Sequence, residues 1–176
     1  MKSAMIRYCT RCLYPETKPD LWFDEQGVCS ACLAFEKRGH VDWDLRKSEF
    51  VEVVDRYRSK EGTNYDCVVP VSGGKDSTYQ VVRCLQNGLN PLCVTGTTDS
   101  LSDIGRRNIE NLKSLGVDYV EVTFNPLVRR RISKLALNQL GDISWPEHIA
   151  IFTTPVRIAV QMGVKLIVWG ENPQNE

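Results

Sequence analysis

The stretch CVVPVSGGKDSTYQVVRCL, residues 67–85, is the most informative part of the sequence because three different patterns follow one another within it. Cys67–Val71 is a short apolar run, typical of a strand that is buried on both faces. Ser72–Ser77 then brings together two glycines, two hydroxyls, a lysine and an aspartate, and a helical pattern runs from Asp76 to Gln86. A buried strand, a glycine-rich turn and a helix begin a βαβ unit, whose ligands bind at the carboxyl end of the strand.

The rest of the chain repeats this alternation of short apolar runs and helical patterns. Further strands are predicted at 92–97, 119–123 and 165–169, and further helices at 103–115, 126–140 and 149–162. The sequence therefore predicts an α/β fold, a parallel twisted sheet with helices on both faces.

Three segments are predicted along the chain. Residues 1–39 form a cysteine-containing module, residues 40–61 a helical connector, and residues 62–176 the parallel-sheet domain. The last residues, 170–176, directly follow a predicted strand, where an open sheet of this class normally continues. We therefore expect this chain to be the N-terminal part of a longer domain.

Composition and charge restrict the class of protein. The formal net charge is zero, with 22 basic and 22 acidic residues. We therefore do not expect binding of a nucleic-acid backbone to be the main function. No apolar run approaches the roughly 18 residues that a membrane span needs, and no signal peptide is recognisable. We expect a cytoplasmic protein with reduced thiols, whose seven cysteines serve metal binding or chemistry before disulfides.

Four cysteines have the spacing of a zinc ribbon. Two C-x2-C pairs, Cys9 with Cys12 and Cys29 with Cys32, are separated by sixteen residues. Two such knuckles supply four tetrahedral thiolate ligands, which suit structural Zn²⁺ and leave no open position for catalysis. An iron–sulfur cluster also uses four cysteines, but the paired arrangement is more typical of zinc.

The polar turn after the first strand has the chemistry of a phosphate site. It is not a Walker A loop, because Val69 stands where that motif has its first glycine and Asp76 where it has a hydroxyl, and it does not match G-x-G-x-x-G either. Gly73 and Gly74 nevertheless allow close backbone approach, and successive amides at a helix start attract anions. Ser72 and Ser77 add hydroxyls, and Lys75 adds a positive charge.

The S-G-G-K-D-S sequence after an apolar strand resembles the PP-loop of the ATP pyrophosphatases. The resemblance implies that Ser72–Ser77 binds the pyrophosphate part of ATP together with Mg²⁺, with Lys75 and Asp76 taking part in catalysis. It further implies that Thr95 and Thr97 lie beside adenosine. Gly170 and Glu171 resemble the family's second nucleotide-facing loop, where Glu171 replaces the usual histidine and is expected to bind Mg²⁺ or substrate.

A longer resemblance points to one branch of that superfamily, the N-acetyl sugar amidotransferases of surface-polysaccharide and lipopolysaccharide O-antigen synthesis. It covers nearly the whole chain, and the segments that carry it are 8–19, 27–32, 142–148, 152–155 and 169–176. The implied reaction adenylates the acetamido oxygen of a nucleotide-linked N-acetyl sugar and replaces it with ammonia, giving an acetamidino sugar. The implied ammonia source is a glutaminase partner similar to the histidine-biosynthesis pair.

Other functional readings remain open. His148 and Glu147 could move protons during attack by ammonia. The basic runs at 106–107 and 129–131 read first as solvated helix faces, with phosphate or partner binding as alternatives. The alternative enzyme is a tRNA-thiolating PP-loop protein with an N-terminal zinc ribbon, and a non-enzymatic alternative is a nucleotide sensor that carries a zinc-ribbon interaction module.

Overall fold

In the computed structural model, the chain divides into two compact units, residues 1–49 and 50–176. The structure describes residues 6–97 and 101–170. The division falls inside one helix, Trp43–Tyr57. The predicted boundaries after residues 39 and 61 stay a prediction.

The first unit consists mainly of turns. Single antiparallel bridges join Tyr8 to Pro15 and Phe23 to Cys29, and helix α1 (Ser30–Arg38) follows immediately. The sequence did not predict α1 because this helix buries none of its residues and therefore carries no apolar stripe. The Cys29 sulfur accepts a hydrogen bond from the amide of Cys32 and so caps the helix.

The second unit contains a parallel three-stranded sheet in the order β1-β2-β3. Its elements in chain order are α2 (Trp43–Tyr57, which begins in the first unit), β1 (Cys67–Pro70), α3 (Lys75–Gln86), β2 (Pro91–Thr97), α4 (Asp103–Lys113), β3 (Asp118–Thr123), α5 (Pro126–Leu140) and α6 (Trp145–Gln161). The register pairs Val69 with Cys93 and Val94 with Val120. The predicted α/β class is confirmed, and the predicted strands and helices differ from these mainly at their ends.

Apolar side chains cover both faces of the sheet. Cys67 and Val69 of β1 pack with Val81 of α3 and Leu112 of α4 on one face. Val68 and the β2 residues Leu92 and Val94 pack with Ala159 of α6 on the other. This burial on both faces explains why β1 reads as a continuous apolar run without polar alternation.

The predicted fourth strand at 165–169 is wrong in extent. Ile167 forms a single parallel bridge with Val68, and Val68 exchanges backbone hydrogen bonds with Leu166 and Val168. The segment therefore lies beside β1, where a fourth strand would be. Because it pairs with β1 at one position, the described sheet has three strands.

Helix α6 also differs from its prediction, since it begins at Trp145 and not at residue 149. Pro146 occupies the first turn of the helix. Proline is favoured there because the amide that it lacks would have no helical partner. A second proline, Pro155, lies inside the helix and is buried.

Among the described residues, no helix is long and apolar enough to cross a membrane.

A substitution at Leu112 tests the core between α4 and the sheet, because the Leu112 side chain is fully buried there. We expect Leu112→Ala to lower the free energy of unfolding by about 2–5 kcal/mol, since the truncation leaves a cavity. Leu115→Ala is the matched control on an exposed side chain and should change stability by less than about 0.5 kcal/mol. Urea unfolding measures both, and equal losses would contradict this description of the core.

Candidate nucleotide site and metal centre

The four cysteines of the first unit converge on one point. The sulfurs of Cys9, Cys12, Cys29 and Cys32 all lie within 4.8 Å of one another. Cys12 and Cys29 are 3.4 Å apart and Cys9 and Cys32 are 4.0 Å apart. A tetrahedral Zn²⁺ with Zn–S bonds of about 2.3 Å places its sulfurs about 3.8 Å apart, so the cluster fits structural zinc.

Backbone amides donate hydrogen bonds to the cysteine sulfurs and so stabilise negative charge on them. The Cys9 sulfur accepts hydrogen bonds from the amides of Arg11 and Cys29. Burial raises the pKa of the Cys9 thiol, but hydrogen bonds from backbone amides, that of Cys12 first, lower it to about 6. The hydrogen bond with Cys12, followed by burial, raises the pKa of Cys32 to about 12. Zinc uptake therefore has to displace protons from the cluster.

The polar turn after β1 is shaped by Gly73. Its φ of +77° lies in the left-handed region, and an added Cβ would come within 3.3 Å of the Ile109 side chain. Gly74 is the N-cap of α3 and supplies no side-chain cap. The first amides of α3 therefore have no capping side chain and can take an anionic ligand, as helix starts commonly do.

Hydroxyl groups of the first turn hold the loop closed. Ser77 and Thr78 donate to the Gly74 carbonyl, and the Ser77 oxygen accepts from the amide of Ser72. Lys75 and Asp76 form an ion pair of 2.7 Å on the exposed side of the turn. Because both side chains are well exposed, this pair adds little stability and leaves both charges available to a ligand.

A cavity of about 350 Å³ opens at the carboxyl edge of the sheet, directly beside the turn. It brings together seven of the predicted site residues: Ser72, Gly74, Asp76, Ser77, Thr95, Thr97 and Gly170. Gly73 and Lys75 belong to the same turn but do not line the cavity. Glu171 lies outside the described residues, so its predicted function stays a prediction.

The two threonines at the end of β2 already use their hydroxyl protons within the protein. Thr95 is buried and donates to the carbonyl of Val71, which ties the end of β2 to the end of β1. Thr97 donates to Glu121 over 2.6 Å, and Glu121 also accepts from Arg106 over 2.8 Å. The hydrogen bond from Arg106, followed by that from Thr97, lowers the pKa of Glu121. Because both hydroxyls donate within the protein, their predicted contact with adenosine stays a prediction.

Helix α6 forms the opposite wall of the cavity at very close range. A Cβ on Gly96 would come within 3.1 Å of the Thr154 hydroxyl and 3.3 Å of the Ala150 carbonyl, so glycine lets the helix approach β2. Ile151 and Pro155 of α6 line the cavity. Because Pro155 has no amide proton, the Ile151 carbonyl receives no helical hydrogen bond from it.

The sequence interpretation missed two polar or aromatic residues of the cavity wall, Gln80 and Trp169. Trp169 packs against Phe152 of α6 with ring centroids 5.4 Å apart. Gln80 lies three residues after Ser77 and four after Asp76, a spacing that puts all three side chains on one helix face. That spacing was the signal available in the sequence.

His148 does not reach this cavity. It is exposed on α6, while Glu147 forms a half-buried ion pair of 3.2 Å with Arg129 of α5. A second cavity of about 280 Å³ lies between α5 and α6 and is lined mainly by apolar side chains such as Phe124, Trp145 and Ile149. His148 does not line that cavity either, so its predicted catalytic function stays a prediction.

The three remaining cysteines, Cys67, Cys84 and Cys93, are core residues, as predicted. Burial raises the pKa of Cys93 to about 12, and the hydrogen bond with Cys84 raises that of Cys67. None of the three lines the cavity at the carboxyl edge of the sheet. They are therefore poorly placed to act as nucleophiles in it.

Comparisons with known proteins give limited matches. No family model matches the chain. An uncharacterized protein of Methanocaldococcus jannaschii is 26% identical over 151 residues, covering 77% of this chain and 54% of that protein. An adenosine deaminase of Edwardsiella ictaluri is 30% identical over 88 residues, covering 49% of this chain and 26% of the enzyme. The chain thus spans about half of the first relative and a quarter of the second.

One solved structure, described as a predicted subunit of tRNA methyltransferase from Methanocaldococcus jannaschii, is similar over part of its length. It has 19% sequence identity and a TM-score of 0.40, and the match covers 60% of this chain and 52% of that one.

Metal analysis tests the cysteine cluster. We expect about one zinc ion per chain in the purified protein, because four convergent thiolates complete a tetrahedral site. Cys29→Ser should lose the metal and loosen the first unit. Cys67→Ala, which changes a core cysteine of the second unit, should keep it. Iron with visible absorbance, or full zinc content in Cys29→Ser, would contradict the assignment.

Proposed function

We propose that this chain binds ATP in the cavity beside Ser72–Ser77 and uses it to adenylate an acceptor, with cleavage between the α and β phosphates. The observation that carries the proposal is the turn itself. Its helix start lacks a side-chain cap and borders a cavity at the carboxyl edge of a parallel sheet, the usual ligand position in such folds. The resemblance of S-G-G-K-D-S to the PP-loop supports the type of cleavage.

The residues of the turn are suited to a leaving pyrophosphate. The first amides of α3 and the Lys75 ammonium can donate to phosphate oxygens and stabilise the charge that develops on them. The Asp76 carboxylate is an oxygen ligand of the kind that Mg²⁺ prefers, and it is exposed at the cavity. Bound Mg²⁺ would neutralise part of the phosphate charge.

We further propose a nucleotide-linked N-acetyl sugar as the acceptor. Its acetamido oxygen would attack the α phosphorus and release pyrophosphate. Ammonia would then add to the activated carbon, and AMP would leave with the former acetamido oxygen, giving an acetamidino sugar. The amide oxygen alone is a poor leaving group, so prior adenylation makes the substitution feasible. A glutaminase partner would supply ammonia, and the reduced cysteine cluster suits a cytoplasmic location.

The support for the sugar is the sequence resemblance of segments 8–19, 27–32, 142–148, 152–155 and 169–176. The second candidate acceptor is tRNA. The observation that favours it lies in the first unit, where Tyr8, Trp22 and Phe35 are more than half exposed and Arg7 lies 4.5 Å from the centroid of the Phe23 ring. Exposed aromatic rings and guanidinium groups are what unpaired bases stack on.

One product assay separates these candidates. The protein is incubated with ATP, Mg²⁺ and ammonium, together with either UDP-N-acetylglucosamine and related sugar nucleotides or unmodified tRNA. AMP and pyrophosphate that depend on the sugar nucleotide would support the amidotransferase, and the same products dependent on tRNA would support the second candidate. ADP and phosphate as products would contradict the proposed cleavage.

Lys75→Ala should weaken ATP binding by about tenfold or more, because it removes a positive charge beside the phosphates. Lys60→Ala is the matched control, since Lys60 is exposed outside the turn and should leave binding unchanged. Equilibrium titration with ATP and with pyrophosphate measures the effect, which should appear for both ligands. Unchanged affinity in Lys75→Ala would rule out this reading of the turn.

A further inference from the structure

Gln80 stands out in the cavity wall because its hydrogen bonding is incomplete. Its Oε1 atom is buried and has no hydrogen-bond partner among the described residues. A buried carbonyl oxygen without a donor is destabilising, so such groups call for an explanation. The carboxamide lies against Gly170 so closely that any Cβ at position 170 would overlap it.

The position of Gln80 relative to the turn limits what could supply the missing donor. Asp76, Ser77 and Gln80 share the cavity-facing side of α3, with Gln80 about one helical turn, roughly 5.4 Å, beyond the phosphate-binding amides. A cavity of about 350 Å³ is small for a ligand site and holds one nucleotide-sized molecule. A molecule that fills the cavity would therefore contact both the turn and Gln80.

ATP offers few hydrogen-bond donors to such an acceptor. At neutral pH its phosphates carry none, so the donors are the two ribose hydroxyls and the adenine amino group. The ribose is the group next to the phosphates, whereas the amino group lies at the far end of the molecule. A residue one helical turn from the phosphate-binding amides is therefore placed for the ribose. Because the last torsion of a glutamine is broad, the oxygen can turn towards the cavity.

We propose that Gln80 binds the ribose hydroxyls of the nucleotide and selects ribonucleotides over deoxyribonucleotides, with Gly170 providing the space that its carboxamide needs. This inference rests on the proposed ATP site. It assigns a ligand contact to the middle of α3, outside the glycine-rich turn, and it gives the Gln80 oxygen a donor that the described residues do not supply.

The test is a titration of four nucleotides against the purified protein. ATP, 2′-deoxyATP, 3′-deoxyATP and 2′,3′-dideoxyATP are each titrated with Mg²⁺ into the unchanged protein and into Gln80→Met. We expect the unchanged protein to prefer ATP over the dideoxy compound by about three- to tenfold, as one neutral hydrogen bond provides. In Gln80→Met the preference should disappear, while affinity for pyrophosphate stays the same.

Two further variants control for indirect effects. Gln86→Met changes an exposed glutamine of the same helix outside the cavity and should keep the preference. Gly170→Ala should lose it, because the added methyl group would occupy the place of the Gln80 carboxamide. If Gln80→Met binds ATP with the same preference as the unchanged protein, the inference is wrong and the ATP site stands. Absence of ATP binding in the unchanged protein would overturn both.

Discussion

Burial of β1 on both of its faces places the polar groups of the candidate site. Cys67 and Val69 face one apolar cluster and Val68 faces the other. A polar side chain on the strand would therefore be buried among apolar groups. The first residues free to carry polar groups are those of the turn that follows. There Gly73 adopts a positive φ and α3 begins within two residues. The amides of α3 are thus held at the sheet edge by a strand that cannot shift without exposing its core.

The other wall of the cavity depends on how closely α6 approaches β2. Gly96 has no side chain to hold the helix away, and the hydroxyl of Thr154 and the carbonyl of Ala150 fill the space that a Cβ would need. Pro155 is buried against this same region and leaves the Ile151 carbonyl without its helical donor. The approach therefore shapes the cavity, and Pro155 leaves a backbone acceptor on Ile151, a residue of its wall.

The first unit is stabilised in a different way. Its only buried hydrophobic side chains among the described residues are Cys9, Val28 and Cys29, too few for a conventional core. Small modules of this kind depend on a metal or on disulfides, and the convergence of all four thiols on one point favours a metal. The four cysteines thus provide stabilisation that the few buried apolar side chains of the first unit do not.

Features that depend on near neighbours in the chain could be predicted from the amino-acid sequence. The apolar run of β1, the glycine-rich turn and the start of α3 are contiguous, and each C-x2-C pair is a local knuckle, so spacing alone was enough to predict them. Local patterns did not predict α1, because this helix buries no residue, or the start of α6, because Pro146 obscured it.

Contacts between side chains that are distant in the chain depend on the tertiary packing. The Thr95 hydroxyl donates a hydrogen bond to the Val71 carbonyl because parallel pairing brings the ends of β2 and β1 together. The segment around Ile167 pairs with β1 at one position, and this brings Trp169 and Gly170 to the cavity wall beside Gln80. Contacts across ninety residues of chain depend on how the sheet and helices pack. No periodicity in the sequence encodes them, because hydrophobic patterns specify which face is buried and not which partner it meets.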